Sequence, residues 1–163
     1  MQSLVKPKLL TLGVLALGAL ATVPAVYAQD AAGGDEMQKA VETRQAVFKL
    51  INYNSEMFFQ MMKNKAPFDA NIVQKAAGRI EVLAPMIPEM FTTDTRKAGN
   101  VKTKAREGIW TNAADFKAKA DGLAQAAQAL TAAAKTGDKG ATMKAAGALG
   151  KACSACHDNY RDK

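Results

Sequence analysis

Residues 109–134 are IWTNAADFKAKADGLAQAAQALTAAA, and the argument for the fold begins with this stretch. Its apolar side chains recur every three or four residues, which places them on one face of an α-helix. They are Ile109, Ala113, Phe116, Ala120, Leu123, Ala127, Leu130 and Ala134. Thr136, Gly137 and Asp138 follow, and Gly137 is suited to cap the C-terminus of that helix. The stretch therefore predicts a long amphipathic helix that ends in a tight turn.

Two earlier segments have the same helical spacing. The first covers about residues 35–63, follows a short tail of small residues at 29–34, and stops before Pro67. The second begins after Asp69, which is suited to cap a helix N-terminus, and Pro85 should end or kink it near Ala84. Their apolar positions are Val41, Phe48, Ile51, Phe58 and Met62, then Val73, Ala76, Ile80, Leu83 and Ile87.

A fourth helical segment covers about residues 138–160. Its apolar face contains Ala146, Leu149, Cys153, Cys156 and Tyr160. Residues 88–104 are polar and predict a long connection, whereas the other connections are short. No window alternates apolar and polar residues between hairpin turns, so we expect no sheet. The sequence predicts an all-α protein, an antiparallel up-down-up-down four-helix bundle.

The first 28 residues are typical of a secretory signal peptide. Lys6 and Lys8 precede an uncharged apolar run, and Val26-Tyr27-Ala28 resembles a cleavage site for signal peptidase. The apolar run is short for a membrane anchor. We expect cleavage after Ala28 and one exported domain, residues 29–163. The removed segment contains two lysines and no acidic residue, so the formal charge falls from +7 to +5. The sequence has no basic patch with aromatic residues between the charges, the pattern that nucleic-acid-binding proteins use.

Cys153-Ser154-Ala155-Cys156-His157 is a C-x-x-C-H motif, the signal for c-type haem attachment. Two thiols at this spacing can each add to one vinyl group of a porphyrin, while the imidazole turns beneath the iron. A disulfide would leave His157 without a role, and a zinc site needs about four ligands. A thioredoxin-like pair belongs beside a βαβ unit, which this sequence does not predict. We therefore predict one covalent haem c on Cys153 and Cys156, near the C-terminal end of helix four, with His157 as axial ligand.

The sixth position of the iron is open at this point of the argument. His157 is the chain's only histidine, so a second protein ligand would be methionine, or there is none. The N-terminal half of helix one should lie beside the haem. The residues there that could face the haem are Met37, Val41, Arg44, Val47 and Phe48. Arg44 lies on the apolar stripe, where a haem propionate could pair with it, or where its side chain could extend to the bundle edge.

The chain resembles the cytochromes c′, the class II c-type cytochromes. The resemblance covers essentially the whole mature chain and is most specific at the C-terminus. The matching residues are CSACHDNYR at 153–161, RQAVF at 44–48, and Ile109, Trp110 and Phe116.

The resemblance implies specific roles for site residues. His157 would be the only protein ligand of the iron, and Phe48 would fill the distal side where low-spin relatives have methionine. Arg44 would contact a propionate, and Arg161 would lie near the proximal face. A plain core position is the simplest interpretation of Trp110, and packing against the haem is the alternative.

The resemblance also implies a function. An iron behind an apolar distal residue should bind NO, and CO when reduced, in a periplasmic protein with a redox or NO-removing role. The alternative is a low-spin His/Met electron carrier of the same class. We do not expect an enzyme such as a peroxidase, because the sequence has no distal histidine for acid–base chemistry.

The family commonly forms homodimers through helices one and two. The basic residues of the long connection could receive an acidic redox partner or simply be solvated; these are Arg96, Lys97, Lys102, Lys104 and Arg106.

Overall fold

The computed structural model describes residues 25–97 and 101–163. It contains four long helices, α1 (Ala25–Met62), α2 (Ala70–Leu83), α5 (Ala113–Lys135) and α6 (Lys139–Tyr160). Two single-turn helices, α3 (Met86–Glu89) and α4 (Gly108–Thr111), lie in the connection between α2 and α5. Each long helix packs against the next one along the chain, and α1 also meets α6. The predicted all-α four-helix bundle is confirmed.

Helix α1 begins earlier than predicted and ends within one residue of the predicted position. It includes the segment 29–34 that we expected as a tail, so that expectation was wrong; no proline interrupts the helix after Pro24. Its other end is set by Asn64, which has a positive φ of 55°. Asparagine tolerates that left-handed conformation, which closes a helix C-terminus before Pro67 is reached. The predicted signal peptide lies outside the described residues, except for its last four, which begin α1.

Capping residues mark the start of α2, the end of α5 and the start of α6. The Asp69 side chain accepts hydrogen bonds from the amides of Asn71 and Ile72 at the start of α2. Asp138 caps α6 through the amide of Ala141. Gly137 has a φ of 74°, as a C-capping glycine should.

The third predicted helix is divided in two. Asn112 has φ −133° and ψ 51°, which separates α4 from α5. The helical path therefore restarts, and Ala113 is exposed although the pattern placed it on the buried stripe. The remaining members of that stripe are buried; they are Ile109, Phe116, Ala120, Leu123, Ala127, Leu130 and Ala134.

The buried face of α1 contains more polar side chains than its hydropathy pattern predicts. Phe48 and Met62, predicted on the stripe, are 36% and 37% exposed. The buried positions on this helix are Val41, Arg44, Val47, Ile51, Asn54, Ser55, Phe58 and Met61. A stripe drawn only through apolar residues was therefore slightly rotated from the face that packs.

The connection between α2 and α5 is more ordered than a polar loop. Besides α3 and α4 it contains a 3-10 turn, Thr95–Lys97. Ala105 and Arg161 form an isolated antiparallel β-bridge, the only β pairing among the described residues. The connection thus touches both α1 and the end of α6, which are the two elements that carry the predicted site.

Candidate functional site

The two cysteines of the C-x-x-C-H motif lie on one side of α6. Both side chains are half-buried against the core, and their sulfurs are not bonded to each other. Burial raises the pKa of both thiols. No group of three or more His, Cys, Asp or Glu side chains suited to a metal ion is found in the described part of the chain. Both thiols are therefore placed on the same side of α6, half-buried and free to react.

His157 is exposed on the last turn of α6. Partial desolvation and the nearby Arg161 lower the pKa of its imidazole. A lowered pKa favours the neutral ring at neutral pH, the form that binds a metal. A cleft of about 420 Å³ lies beside it, lined by Arg106, His157, Asp158, Arg161, Asp162 and Lys163. The imidazole is thus available to an iron, with open space on one side.

Contacts between α1 and α6 fix how the two helices run past each other. A Cβ built on Gly147 lies 3.8 Å from Met62 Cε, and one built on Gly150 lies 3.4 Å from Phe59 Cε1. As the residue number falls by three on α1 it rises by three on α6, so the two helices are antiparallel. The C-terminal half of α6 therefore runs beside the part of α1 that precedes Phe59.

This register relates Phe48 to His157. Both helices rise 1.5 Å per residue, so the same pairing can be continued along them. Phe48, eleven residues before Phe59, is then level with Arg161, eleven residues after Gly150 and one turn from His157. Phe48 also precedes Phe59 by eleven residues, almost three full turns, so both side chains lie on the side of α1 that faces α6. The register brings Phe48 to the same end of the bundle as the motif.

The methionines of α1 relate differently to His157. Met37 shares the face of Phe48 but lies about 16 Å further along the axis, beyond the end of α6. Met57 follows Phe48 by nine residues, two and a half turns, so it lies on the opposite side of α1. Neither methionine is placed beside His157.

Arg44 is buried on α1 and bound to the α2–α5 connection. It is 3% exposed, and burial lowers its pKa, an effect that Asp94 opposes. Its Nε donates to the carbonyl of Met90 at 2.6 Å, Nη1 to Thr95 Oγ1 at 2.7 Å and Nη2 to the carbonyl of Thr93 at 2.5 Å. The structure therefore gives Arg44 a role that the sequence did not indicate: it binds the connection to α1.

Phe91 is the site residue that sequence reasoning missed. Its ring centroid lies 6.3 Å from that of Phe48, 6.1 Å from Trp110 and 5.1 Å from Phe116. The Arg44 guanidinium carbon lies 4.5 Å from its centre. The sequence signal for Phe91 was weak: it is a lone aromatic residue in a polar segment, and the residues it contacts are distant in sequence. Trp110 is half-buried, and its indole N–H donates to the carbonyl of Phe91 at 2.8 Å.

Tyr160, on α6, packs against the cluster of aromatic rings formed by Phe48, Phe91, Trp110 and Phe116. Its ring is 5.1 Å from that of Phe116, and its hydroxyl donates to Asp115 Oδ2 at 2.5 Å. Burial, followed by the hydrogen bond to Asp115, raises the pKa of Tyr160 to about 12. Tyr160 therefore ties the turn that carries His157 to α5.

These residues fit a covalent haem. One end of the bundle contains two half-buried thiols, an available imidazole, an apolar ring on the facing helix and further aromatic side chains next to that ring.

Among the described residues, no helix is both long and apolar enough to cross a membrane.

Comparisons with known proteins identify the family of this chain. The family model of cytochrome C′ matches residues 39–161. Cytochrome c′ from Rubrivivax gelatinosus is 37% identical over 124 residues, 76% of this chain and 95% of that protein. Its crystal structure is similar with a TM-score of 0.69 at 36% identity, over 77% of this chain and 97% of that one.

A second solved structure is the nitric oxide complex of a variant of cytochrome c′ from Alcaligenes xylosoxidans. It gives a TM-score of 0.68 at 31% identity and covers 78% of this chain and 97% of that one. The chain belongs to the cytochrome c′ family, whose members bind one covalent haem c.

Proposed function

We propose that this protein is a periplasmic cytochrome c′ that binds NO, and CO when reduced, at an iron with His157 as its only protein ligand. The nitric oxide complex of the Alcaligenes xylosoxidans relative supports the choice of gas. Cys153 and Cys156 would hold the haem, which when bound supplies a redox-active iron with a free position for a gas. The proposed role is NO removal or redox cycling, and we propose no catalytic residue.

One observation supports this proposal: an apolar ring, Phe48, lies on the side of α1 that faces α6. It is one turn from the level of His157. Phenylalanine neither ligates iron nor donates a hydrogen bond to a polar ligand such as O₂. Distal pockets that are apolar and restricted select among ligands by access and polarity. Phe48 would therefore leave the iron open to small diatomic gases.

Other residues would shape the site without ligating the iron. Arg44 uses one N–H on each of its three nitrogens for the connection, so the guanidinium, with five N–H groups, has two left for a haem propionate. The indole N–H of Trp110 is bound to Phe91, so Trp110 would contact the haem through its ring. Arg161 would lie on the proximal side, in the cleft beside His157.

The location and assembly belong to the same proposal. We propose export by residues 1–28, so that the mature protein begins at Gln29 and its mass exceeds that of the polypeptide by one haem. We also propose a homodimer through helices one and two, here α1 and α2.

The absorption spectrum of the haem-loaded protein tests the ligand set. We expect a high-spin ferric spectrum at neutral pH and a spectral change when NO is added to the ferrous form. Met37→Leu should leave both spectra unchanged, because that side chain lies beyond the end of α6. Met57→Leu is the matched control, since Met57 lies on the opposite side of α1. A low-spin ferric spectrum that Met37→Leu or Met57→Leu abolishes would instead identify a His/Met electron carrier.

A further inference from the structure

The end of α6 is joined to the connection by a short antiparallel bridge. Arg161 adopts an extended conformation, with φ −129° and ψ 131°, and pairs with Ala105. The amide of Arg106 donates to the carbonyl of Tyr160 at 3.1 Å, and the amide of Asp162 donates to the carbonyl of Lys104 at 2.9 Å. The backbone on both sides of Arg161 is therefore held in place.

The side chain of Arg106 strengthens this bridge on both sides of Arg161. Its Nη1 donates to the carbonyl of Asp158 at 2.8 Å, and its Nε donates to Asp162 Oδ1 at 2.9 Å. One guanidinium thus spans from the last turn of α6 to the residue after the bridge. It binds the one carboxylate that is adjacent to Arg161 in the chain.

Arg161 itself remains close to His157. No carboxylate lies within 4 Å of its guanidinium among the described residues, whereas Asp162 is occupied by Arg106. In an extended segment neighbouring side chains start on opposite sides, so the long Arg161 side chain can fold back to Asp162 only when Arg106 releases that carboxylate. Arg161, His157 and Arg106 line the same cleft, and the charge of Arg161 acts on the imidazole.

We propose that Arg106 is a positioning residue for the proximal side: it holds Asp162 away from Arg161, so that the Arg161 cation stays beside His157. This inference rests on the proposed function only in making His157 the iron ligand. The Arg106–Asp162 pair is solvent-exposed, and such pairs contribute little to stability. Arg106 should therefore affect the orientation of Arg161 much more than the unfolding of the protein.

The test uses the haem-loaded protein and two readouts. The first is a crystal structure of Arg106→Ala, in which we expect the Arg161 guanidinium within 4 Å of the Asp162 carboxylate. The second is the rate at which His157 leaves the ferrous iron when NO binds, since NO weakens the bond opposite to it. Arg106→Ala should change that rate by the same factor as Arg161→Ala, within twofold. The double variant should show no further change, because one cation is responsible in both.

Three further variants separate positioning from simple charge. Asp162→Asn in the Arg106→Ala background should restore the parent rate, because the competing carboxylate is gone. Asp162→Asn alone should leave the rate unchanged, whereas a pure charge effect would shift it. Arg96→Ala, which removes another arginine ion-paired on the connection, should match the parent.

Several results would overturn the inference. One is an unchanged Arg161 side chain in the crystal structure of Arg106→Ala; another is a parent-like rate in Arg106→Ala while Arg161→Ala differs. If the parent does not bind NO, the proposed function fails, and the position of Arg161 in the crystal structure still decides the role of Arg106.

Discussion

Phe48 and Arg44 are one helical turn apart on α1, yet their surroundings differ. Arg44 is buried and bound to the connection, whereas Phe48 is 36% exposed and has Phe91 as its aromatic neighbour. Phe91 in turn lies under the Arg44 guanidinium. Arg44 therefore holds the Phe91 ring, which packs against Phe48. Through these contacts the connection contributes to the proposed distal side of the haem.

Phe48→Ala should speed CO binding to the ferrous protein. A distal side chain that must move aside adds a steric barrier to ligand entry, and alanine removes it. Stopped-flow measurement of the CO association rate checks this, because CO does not readily displace histidine and so reports the distal side. Tyr53→Ala is the control, since Tyr53 is an exposed aromatic that points away from the α6-facing side of α1. An unchanged CO rate in Phe48→Ala would make Phe48 a packing residue only.

At the residue scale, the sequence predicted local chemistry better than long-range contacts. The motif at 153–157 and the caps at Asp69 and Gly137 depend on neighbours within four residues. The partners of Arg44 lie about fifty residues away, in a segment whose composition predicted only a polar loop. Hydropathy also ranks Arg44 as a surface residue, although three acceptors compensate for its burial. Such compensation cannot be read from spacing along one helix.

At the element scale, helix content was predictable and helix boundaries were less so. Most of the predicted stripe residues of α2 and α6 are buried because hydrophobic side chains dominate both faces, and the exceptions, Leu83, Cys153 and Cys156, are partly buried. The break at Asn112 was missed because the apolar spacing continues through it. The short helix before the break, α4, packs at the end of α6, where a Cβ on Gly108 would lie 3.2 Å from Tyr160 Cε1. A continuous helix pattern carries no information about that contact.

Two glycines offer a matched test of the contact between α4 and α6. A Cβ on Gly108 would lie 3.2 Å from Tyr160 Cε1, and the Tyr160 ring is held by Phe116 and Asp115. Gly108→Ala should therefore destabilise the haem-loaded protein by about 1 kcal/mol, the lower end of the cost of overpacking. Gly122, within α5, has nothing within 4 Å of its Cβ position. Gly122→Ala should stabilise by about 0.5–1 kcal/mol, because alanine is favoured inside a helix.

Urea unfolding of both variants measures this difference in sign. If Gly108→Ala were as stable as Gly122→Ala, the Tyr160 ring would have room to move, and α4 would not restrain the end of α6.

At the scale of the whole molecule, exposed apolar side chains are unevenly distributed. All seven large apolar side chains that are strongly exposed in the described residues belong to α1, α2 and α3. They are Phe48, Leu50, Tyr53, Met62, Ile72, Val82 and Met86. The half of the chain that contains the C-x-x-C-H motif, α4 to α6, has none among its described residues. The proposed dimer through α1 and α2 would cover part of this exposed apolar surface.

Val82→Glu should convert the proposed dimer into a monomer. Val82 is 70% exposed on α2, and a two-fold interface would contain this position twice. Burying one valine contributes about 1.5–3 kcal/mol, so losing two of them weakens the dimer by at least 100-fold, before the cost of burying two carboxylates is added. Light scattering coupled to size-exclusion chromatography measures the mass across a range of protein concentrations. Ala132→Glu, on the exposed side of α5, introduces the same charge away from α1 and α2 and should leave the dimer intact. A Val82→Glu protein that stays dimeric while retaining its helical circular dichroism would exclude this part of α2 from the interface, because a buried glutamate pair could not be accommodated there without loss of affinity.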